Sequence, residues 1–130
     1  CAERRPDKLA PREAMAAFGG LEIACMAGAL IGAAESRAIV LIDGFIATAA
    51  ALAAVREKPE ISDNIVYAHK SEEPGHAAMI QSLEATPLLD LNLRLGEGSG
   101  ALLALPLLRS ACTMLSEMAT FESANVSGKA

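Results

Sequence analysis

Apolar positions along this chain fall into long stretches with helical spacing, separated by short unbroken β-branched runs, with glycine or polar residues at most joins. PREAMAAF (11–18) opens on a proline suited to a first helical turn and stops at Gly19-Gly20, which predicts a short helix. LEIACMAGALIGAAES (21–36) is apolar at nearly every helical position, with Glu22 in the first turn, where an acid complements the helix dipole. Gly28 and Gly32 stand four apart in that helix and predict close packing against a neighbouring helix or sheet. AIVLI (38–42) reads as a strand apolar on both faces, suited to the middle of a parallel sheet, and it closes at Asp43-Gly44. FIATAAALAAVRE (45–57) returns as a helix that ends before Pro59.

NIVYAH (64–69) is a second strand candidate, followed by a polar loop, KSEEPG (70–75), and a helix over 76–84. TPLLDLNLRL (86–95) holds a third apolar, extended segment and runs into GEGSG (96–100). A long helical pattern from 99 to about 123 contains Pro106, where a kink is expected, and ANVSGKA reads as a frayed tail. Helix and strand thus alternate, which predicts a helix-rich α/β layered domain with parallel strands. The expected organisation is a charged surface segment over 1–10, the α/β body over 11–122 and a tail over 123–130.

Each strand candidate ends in a polar or glycine-rich turn: Asp43-Gly44, then His69 to Glu73, then Gly96-Glu97-Gly98. Ligands of open α/β sheets bind outside the carboxyl ends of the strands, so these three turns are expected to converge on one crevice. The helix that follows each turn offers free N–H groups to an anion. The last turn poses the sharpest question, because Glu97 stands on a backbone with little side-chain cover, where a ligand can come close.

Composition narrows the classes. Of the 130 residues 52% are hydrophobic and only 3% aromatic, so Ala, Leu, Ile and Met must build a modest, helix-favouring core. A net charge of -5, with scattered basic residues, gives no footprint for nucleic acid or an anionic membrane. Cys1, Cys25 and Cys112 form no CxxC, and the reading is of buried, reduced thiols in a cytoplasmic protein. The apolar run over 39–55 is broken by Asp43-Gly44, and no charged-then-apolar leader is visible. The opening CAERRPDK reads as the middle of a longer protein, with a processed lipoprotein as the weaker alternative.

Other chemistries fit poorly. GEGSG lacks the GK[ST] ending and the GxGxxG spacing of phosphate loops. His69, Glu72, Glu73 and His76 match no zinc spacing and surround Pro74-Gly75, which favours a solvated loop with no metal. Ser71 sits in no GxSxG elbow, so a hydroxyl donor to a ligand oxygen is the better reading than a nucleophile.

DGFI with its Ala-rich helix, HKSEEPGH and RLGEGSGA, together with GGLEIACMAGALIGAAES and EMATFESANVS, resemble the C-terminal part of the nicotinate-nucleotide:dimethylbenzimidazole phosphoribosyltransferase family. The resemblance runs in order from about 11 to 127. It implies a Rossmann-like three-layer α/β fold that is part of a larger domain, in a homodimeric enzyme without metal or other cofactor. The implied reaction moves phosphoribose from nicotinate mononucleotide to 5,6-dimethylbenzimidazole, giving α-ribazole 5′-phosphate, part of the lower ligand of cobalamin, and nicotinate. The family's general base maps onto Glu97. Gly96 and Gly98 would admit ring and ribose, and Leu95 would line the ring pocket. Ser71 would face the phosphate, and Asp43 and Gly44 would edge the site. Two departures stand out: Ala10-Pro11 replaces the Asp-Pro of many relatives, and the glycine- and lysine-bearing phosphate loops that precede this region in complete enzymes are not in these 130 residues. The partner implied is therefore the N-terminal part of the enzyme or another chain. A non-catalytic copy acting as a structural partner, and a related module using another acceptor base, remain as alternatives.

Overall fold

The computed structural model describes residues 9–121 and 123–124. Helix α1 (Pro11–Phe18) starts on its proline, whose missing N–H costs nothing in a first turn. Ala10 offers no capping side chain, and Glu13 reaches back to accept the Ala10 N–H at 3.1 Å. Helix α2 (Leu21–Glu35) leads to β1 (Val40–Ile42), α3 (Phe45–Glu57) and a 3-10 turn over Pro59–Asn64. The chain continues through β2 (Ile65–Tyr67), β3 (His69–Ser71), α4 (His76–Ser82), β4 (Leu89–Leu93) and α5 (Ser99–Glu117).

The strands are short and parallel. β1 lies beside β2 with Val40 opposite Ile65 and Ile42 opposite Tyr67, and β3 lies beside β4 with His69 opposite Leu89. Only Ala68 separates β2 from β3, and it bonds both ways: its N–H donates to the Ile42 carbonyl at 2.8 Å and its carbonyl accepts from Leu89 at 3.0 Å. One run of chain therefore pairs first with β1 and then with β4. Between His69 and Ser71 the partner strand advances from Leu89 to Leu93, an irregularity housed at Asn92, whose φ of 54° is one that asparagine tolerates better than most residues.

The core is small-residue packing. Ala27 and Leu30 of α2, Ala50, Ala51 and Ala54 of α3, Ile42, Ile61 and Tyr67 form one buried cluster. Burial pushes the Tyr67 phenol up to about 12, since phenolate would lose its water there. His76, fully buried at the start of α4, ties this core to the strands: the Ser71 N–H donates to its Nδ1 at 3.0 Å, and its Nε2 lies 3.1 Å from Thr48 Oγ1. A backbone N–H can only donate, so Nδ1 is the acceptor and the neutral ring carries its proton on Nε2, facing Thr48. Desolvation, then the neighbouring His69, holds the His76 pKa below its ordinary value.

Helix α5 docks on the sheet through Gly100 and Ala104, one turn apart and both buried. At Gly100 a Cβ would overlap the His69 ring, so only glycine lets the helix approach this closely. Beyond this contact α5 is exposed along Leu102, Leu103, Leu107, Met114 and Leu115. Among the described residues it is the one helix long and apolar enough to cross a membrane, at mean hydropathy 1.3. Its seating on the sheet through Gly100 and Ala104 makes it a docking helix with an uncovered apolar face.

Several expectations need correction. Lys70 and Ser71 extend the second strand instead of opening a loop, because they pair with β4. Helix α5 passes through Pro106 and ends at Glu117, several residues early, where Thr120 Oγ1 accepts the Ser123 N–H and turns the chain. Cys25 and Cys112 are exposed, not buried, and Cys1 lies outside the described residues. Gly28 and Gly32 face outward, with nothing within 4 Å of a Cβ built on either, so they are not a packing strip within this chain. The 1–10 segment, described only from residue 9, and most of the 123–130 tail likewise fall outside the described residues.

Two measurements test this packing. Gly100→Ala is expected to lower stability by about 1–3 kcal/mol, the usual cost of overpacking, read as a lower midpoint in thermal denaturation. For His76, the folded chain binds a proton less readily than the unfolded chain, whose value is near 6.5. Stability is then complete above about pH 6.5 and falls on acidification towards the lowered folded pKa, by at most about 1.4 kcal/mol per pH unit. Imidazole NMR titration should show the His76 ring neutral at pH 6.5; a ring half-protonated there or above refutes it.

Candidate functional site

The three turns that leave the carboxyl ends of β1, β3 and β4 meet around a cleft of about 370 Å³. Asp43 and Gly44 come from the first turn, and His69, Ser71 and Glu73 from the end of β3 and the turn after it. Arg94, Gly96 and Glu97 come from the third. The opening turn of α3, through Phe45, Ile46 and Ala47, completes the wall and brings the positive end of a helix dipole to the same space.

Asp43 organises this meeting. Its Oδ1 accepts the Ala101 N–H at 2.9 Å and its Oδ2 accepts the Gly98 N–H at 3.1 Å. Both donors belong to the start of α5, whose own N-cap, Gly98, has no side chain to satisfy them. The carboxylate after β1 thus caps a helix more than fifty residues away.

The turn it holds is unusual. Gly96, Glu97 and Gly98 all have positive φ, at 72°, 56° and 79°. Glycine adopts this region freely, whereas a glutamate there costs roughly 1–2 kcal/mol. The strain leaves Glu97 exposed but on the wall of the cleft, and its carboxylate has no hydrogen-bond or ion-pair partner among the described residues.

Ser71 is 8% exposed; its Oγ accepts the Glu73 N–H at 3.2 Å, which leaves the hydroxyl proton free for a ligand oxygen. His69 is buried, its Nδ1 lies 3.9 Å from Asp43 Oδ1, and this nitrogen has no hydrogen-bond partner among the described residues. Gly44 gives the ring room, since a Cβ there would stand 3.2 Å from His69 Cε1. At the mouth, Arg94 and Glu73 form an ion pair at 3.2 Å between exposed side chains, worth at most about 1 kcal/mol and easily opened.

Of the residues singled out from sequence, Asp43, Gly44, Ser71, Gly96 and Glu97 share this cleft. Gly98 does not line it, its N–H being spent on Asp43, and Leu95 is 72% exposed and outside the lining. The turn from His69 to Glu73 was expected at this crevice, but His69 and Glu73 were given no role in the site, and Arg94 was not singled out. His69 and Ser71 stand two apart on one strand and so share a face, a signal hidden once that stretch was read as loop. No group of three or more His, Cys, Asp or Glu among the described residues is placed to hold a metal ion. What the cleft offers is a free carboxylate, a hydroxyl donor, a helix N-terminus and bare backbone, a set suited to an anionic ligand and a proton transfer.

Comparison with known proteins agrees with the resemblance. A nicotinate-nucleotide–dimethylbenzimidazole phosphoribosyltransferase of Ralstonia nicotianae is 57% identical over 95% of this chain, which covers 35% of that relative. One of the same name from Photobacterium profundum is 56% identical over 89% of the chain and 34% of its own length. The solved phosphoribosyltransferase of that name from Thermus thermophilus superposes with a TM-score of 0.89 at 44% identity, over 98% of this chain and 38% of its own. The chain therefore spans about a third of the length of these relatives. With the phosphoribosyltransferase family model matching residues 1–126 and the fold shared, this chain belongs to that family.

Proposed function

We propose that this chain supplies the catalytic-base portion of an enzyme that transfers phosphoribose from nicotinate mononucleotide to 5,6-dimethylbenzimidazole. The observation that carries the reading is Glu97, an unpartnered carboxylate on a left-handed turn, sharing a cleft with Ser71 and the start of α3. One benzimidazole nitrogen attacks the anomeric carbon, forming the new C–N bond on the face opposite the departing pyridinium. The bond to nicotinate breaks, its electron pair leaving with the ring nitrogen as neutral pyridine, so that side needs no acid. The other benzimidazole nitrogen loses its proton to Glu97. Such a base contributes about 10²–10⁴ in rate.

The phosphate side follows from the same wall. The Ser71 hydroxyl can donate to a phosphate oxygen, and the first turn of α3, with its free N–H groups, lines the same cleft. Asp43 and Gly44 edge the site, and Gly96 leaves room for a flat ring at the turn. Gly98 serves through its bond to Asp43, and Leu95 would reach the ring only from the rim. The rest of the proposal is a cytoplasmic homodimer in which a further part of the enzyme, or another chain, covers the apolar face of α5.

A second reading has its own support in that face. Leu102, Leu103, Leu107 and Leu115 leave an exposed apolar face along α5, which suits a structural partner in an oligomer. A screen with adenine and phenolic acceptors separates either reading from a module with another acceptor.

Two assays decide. The 130-residue chain, alone and joined to the preceding part of the Ralstonia relative, is given nicotinate mononucleotide and dimethylbenzimidazole. Nicotinate release that falls by about 10²–10⁴ in Glu97→Gln supports the enzyme; no turnover in either form supports the structural partner. In the joined protein, Ser71→Ala should raise KM for nicotinate mononucleotide about tenfold to a hundredfold with a smaller change in kcat, a hydrogen bond to a charged group being worth about 1.5–3 kcal/mol. An unchanged KM removes Ser71 from the phosphate site.

A further inference from the structure

Glu97 is held in a conformation that its own side chain disfavours, and within its turn a single backbone bond closes the bend, the Ser99 N–H donating to the Gly96 carbonyl at 3.0 Å. Gly96 and Gly98 permit the left-handed path but do not enforce it, because glycine visits many conformations. A strained residue persists only where its surroundings over-determine it. Among the described residues the one side chain that bonds to this bend is Asp43, through the Gly98 N–H immediately after Glu97 and the Ala101 N–H one turn into α5. Asp43 in turn is fixed as the first residue past β1, beside the buried ring of His69.

We propose that Asp43 is a positioning residue for the transfer reaction: its carboxylate clamps the turn over 96–98 so that Glu97 presents its own carboxylate to the cleft. This rests on Glu97 being the base. Both Asp43 oxygens accept main-chain N–H groups, so its work is done on the backbone of α5 and reaches the substrate only through Glu97. The clamp also explains why an acid, and not a neutral cap, follows β1. It satisfies two orphan donors at once and places negative charge at the positive end of α5. Gly100 completes the arrangement by letting α5 lie against His69, which keeps the donors within reach.

The test compares Asp43→Asn, Asp43→Ala, Glu97→Gln and the double variant Asp43→Ala with Glu97→Gln, in the chain joined to the preceding part of the Ralstonia relative. Asp43→Ala is expected to lower kcat about tenfold to a hundredfold, the scale of loss when a reacting group is misplaced by about an ångström. KM for nicotinate mononucleotide should change less than kcat, since the clamp acts through Glu97. Asp43→Asn, which keeps one acceptor oxygen, should fall between. Adding Asp43→Ala to Glu97→Gln should cost nothing more. Amide hydrogen exchange on the 130-residue chain should show Gly98 and Ala101 losing protection in Asp43→Ala while the β1 amides keep theirs.

Multiplying losses in the double variant overturn the proposal, because Asp43 would then act on substrate by its own route. Full kcat in Asp43→Ala alongside a crippled Glu97→Gln overturns it and leaves the base intact. Full activity in Glu97→Gln defeats both. Should Asp43→Ala fail to fold, Asp43→Asn carries the same comparison, alone and with Glu97→Gln.

Discussion

One carboxylate joins the two halves of this structure. Asp43 leaves the end of the first strand and accepts N–H groups from the start of the last helix, and that bond pair sets where the glycine turn lies. Without it, α5 would begin with uncapped donors and the left-handed bend before it would keep only the backbone bond from the Ser99 N–H to the Gly96 carbonyl. The cleft follows from this constraint, because its walls are the segments that Asp43 draws together: the turn after β1, the end of β3 beside it and the bend before α5.

Small residues make that constraint possible. Gly44 and Gly100 leave space on either side of His69, and an alanine-rich α3 lets Thr48 approach His76. In a core nearly without aromatic side chains, two buried imidazoles occupy volume that a phenylalanine would fill elsewhere. One of them does so with direction, through ring nitrogens that meet partners. His76 meets two and cross-links α3, β3 and α4. The buried His69 Nδ1, beside the cleft, has no hydrogen-bond partner among the described residues. The result is a rigid floor beneath a strained turn, the arrangement expected where loops carry chemistry on a fixed scaffold.

The same economy leaves much apolar surface open. Helix α5 spends Gly100 and Ala104 on the sheet and shows its leucines outward, and Leu91 on β4 is also exposed. The chain spans about a third of the length of these relatives.

Local pattern was a reliable guide wherever local energetics decide. The helices over 11–18, 21–36 and 45–57 were legible from proline, glycine and apolar spacing, and the first two strands from continuous β-branched runs. The convergence of three strand ends on one crevice, with Asp43, Gly44, Ser71, Gly96 and Glu97 on its wall, was legible because parallel α/β alternation admits few arrangements. The family resemblance was legible too, in DGFI, HKSEEPGH and RLGEGSGA. Tertiary structure alone decided the rest. Lys70 and Ser71 become strand only because β4 lies alongside, and Asp43 becomes a helix cap only because its donors arrive from Gly98 and Ala101. Whether Cys25, Gly28 or Leu95 meets protein or water depended on which face each element turned inward. Spacing along a chain sets which side chains share a local face, whereas a contact between residues far apart depends on how separate elements pack, and no local pattern contains that geometry.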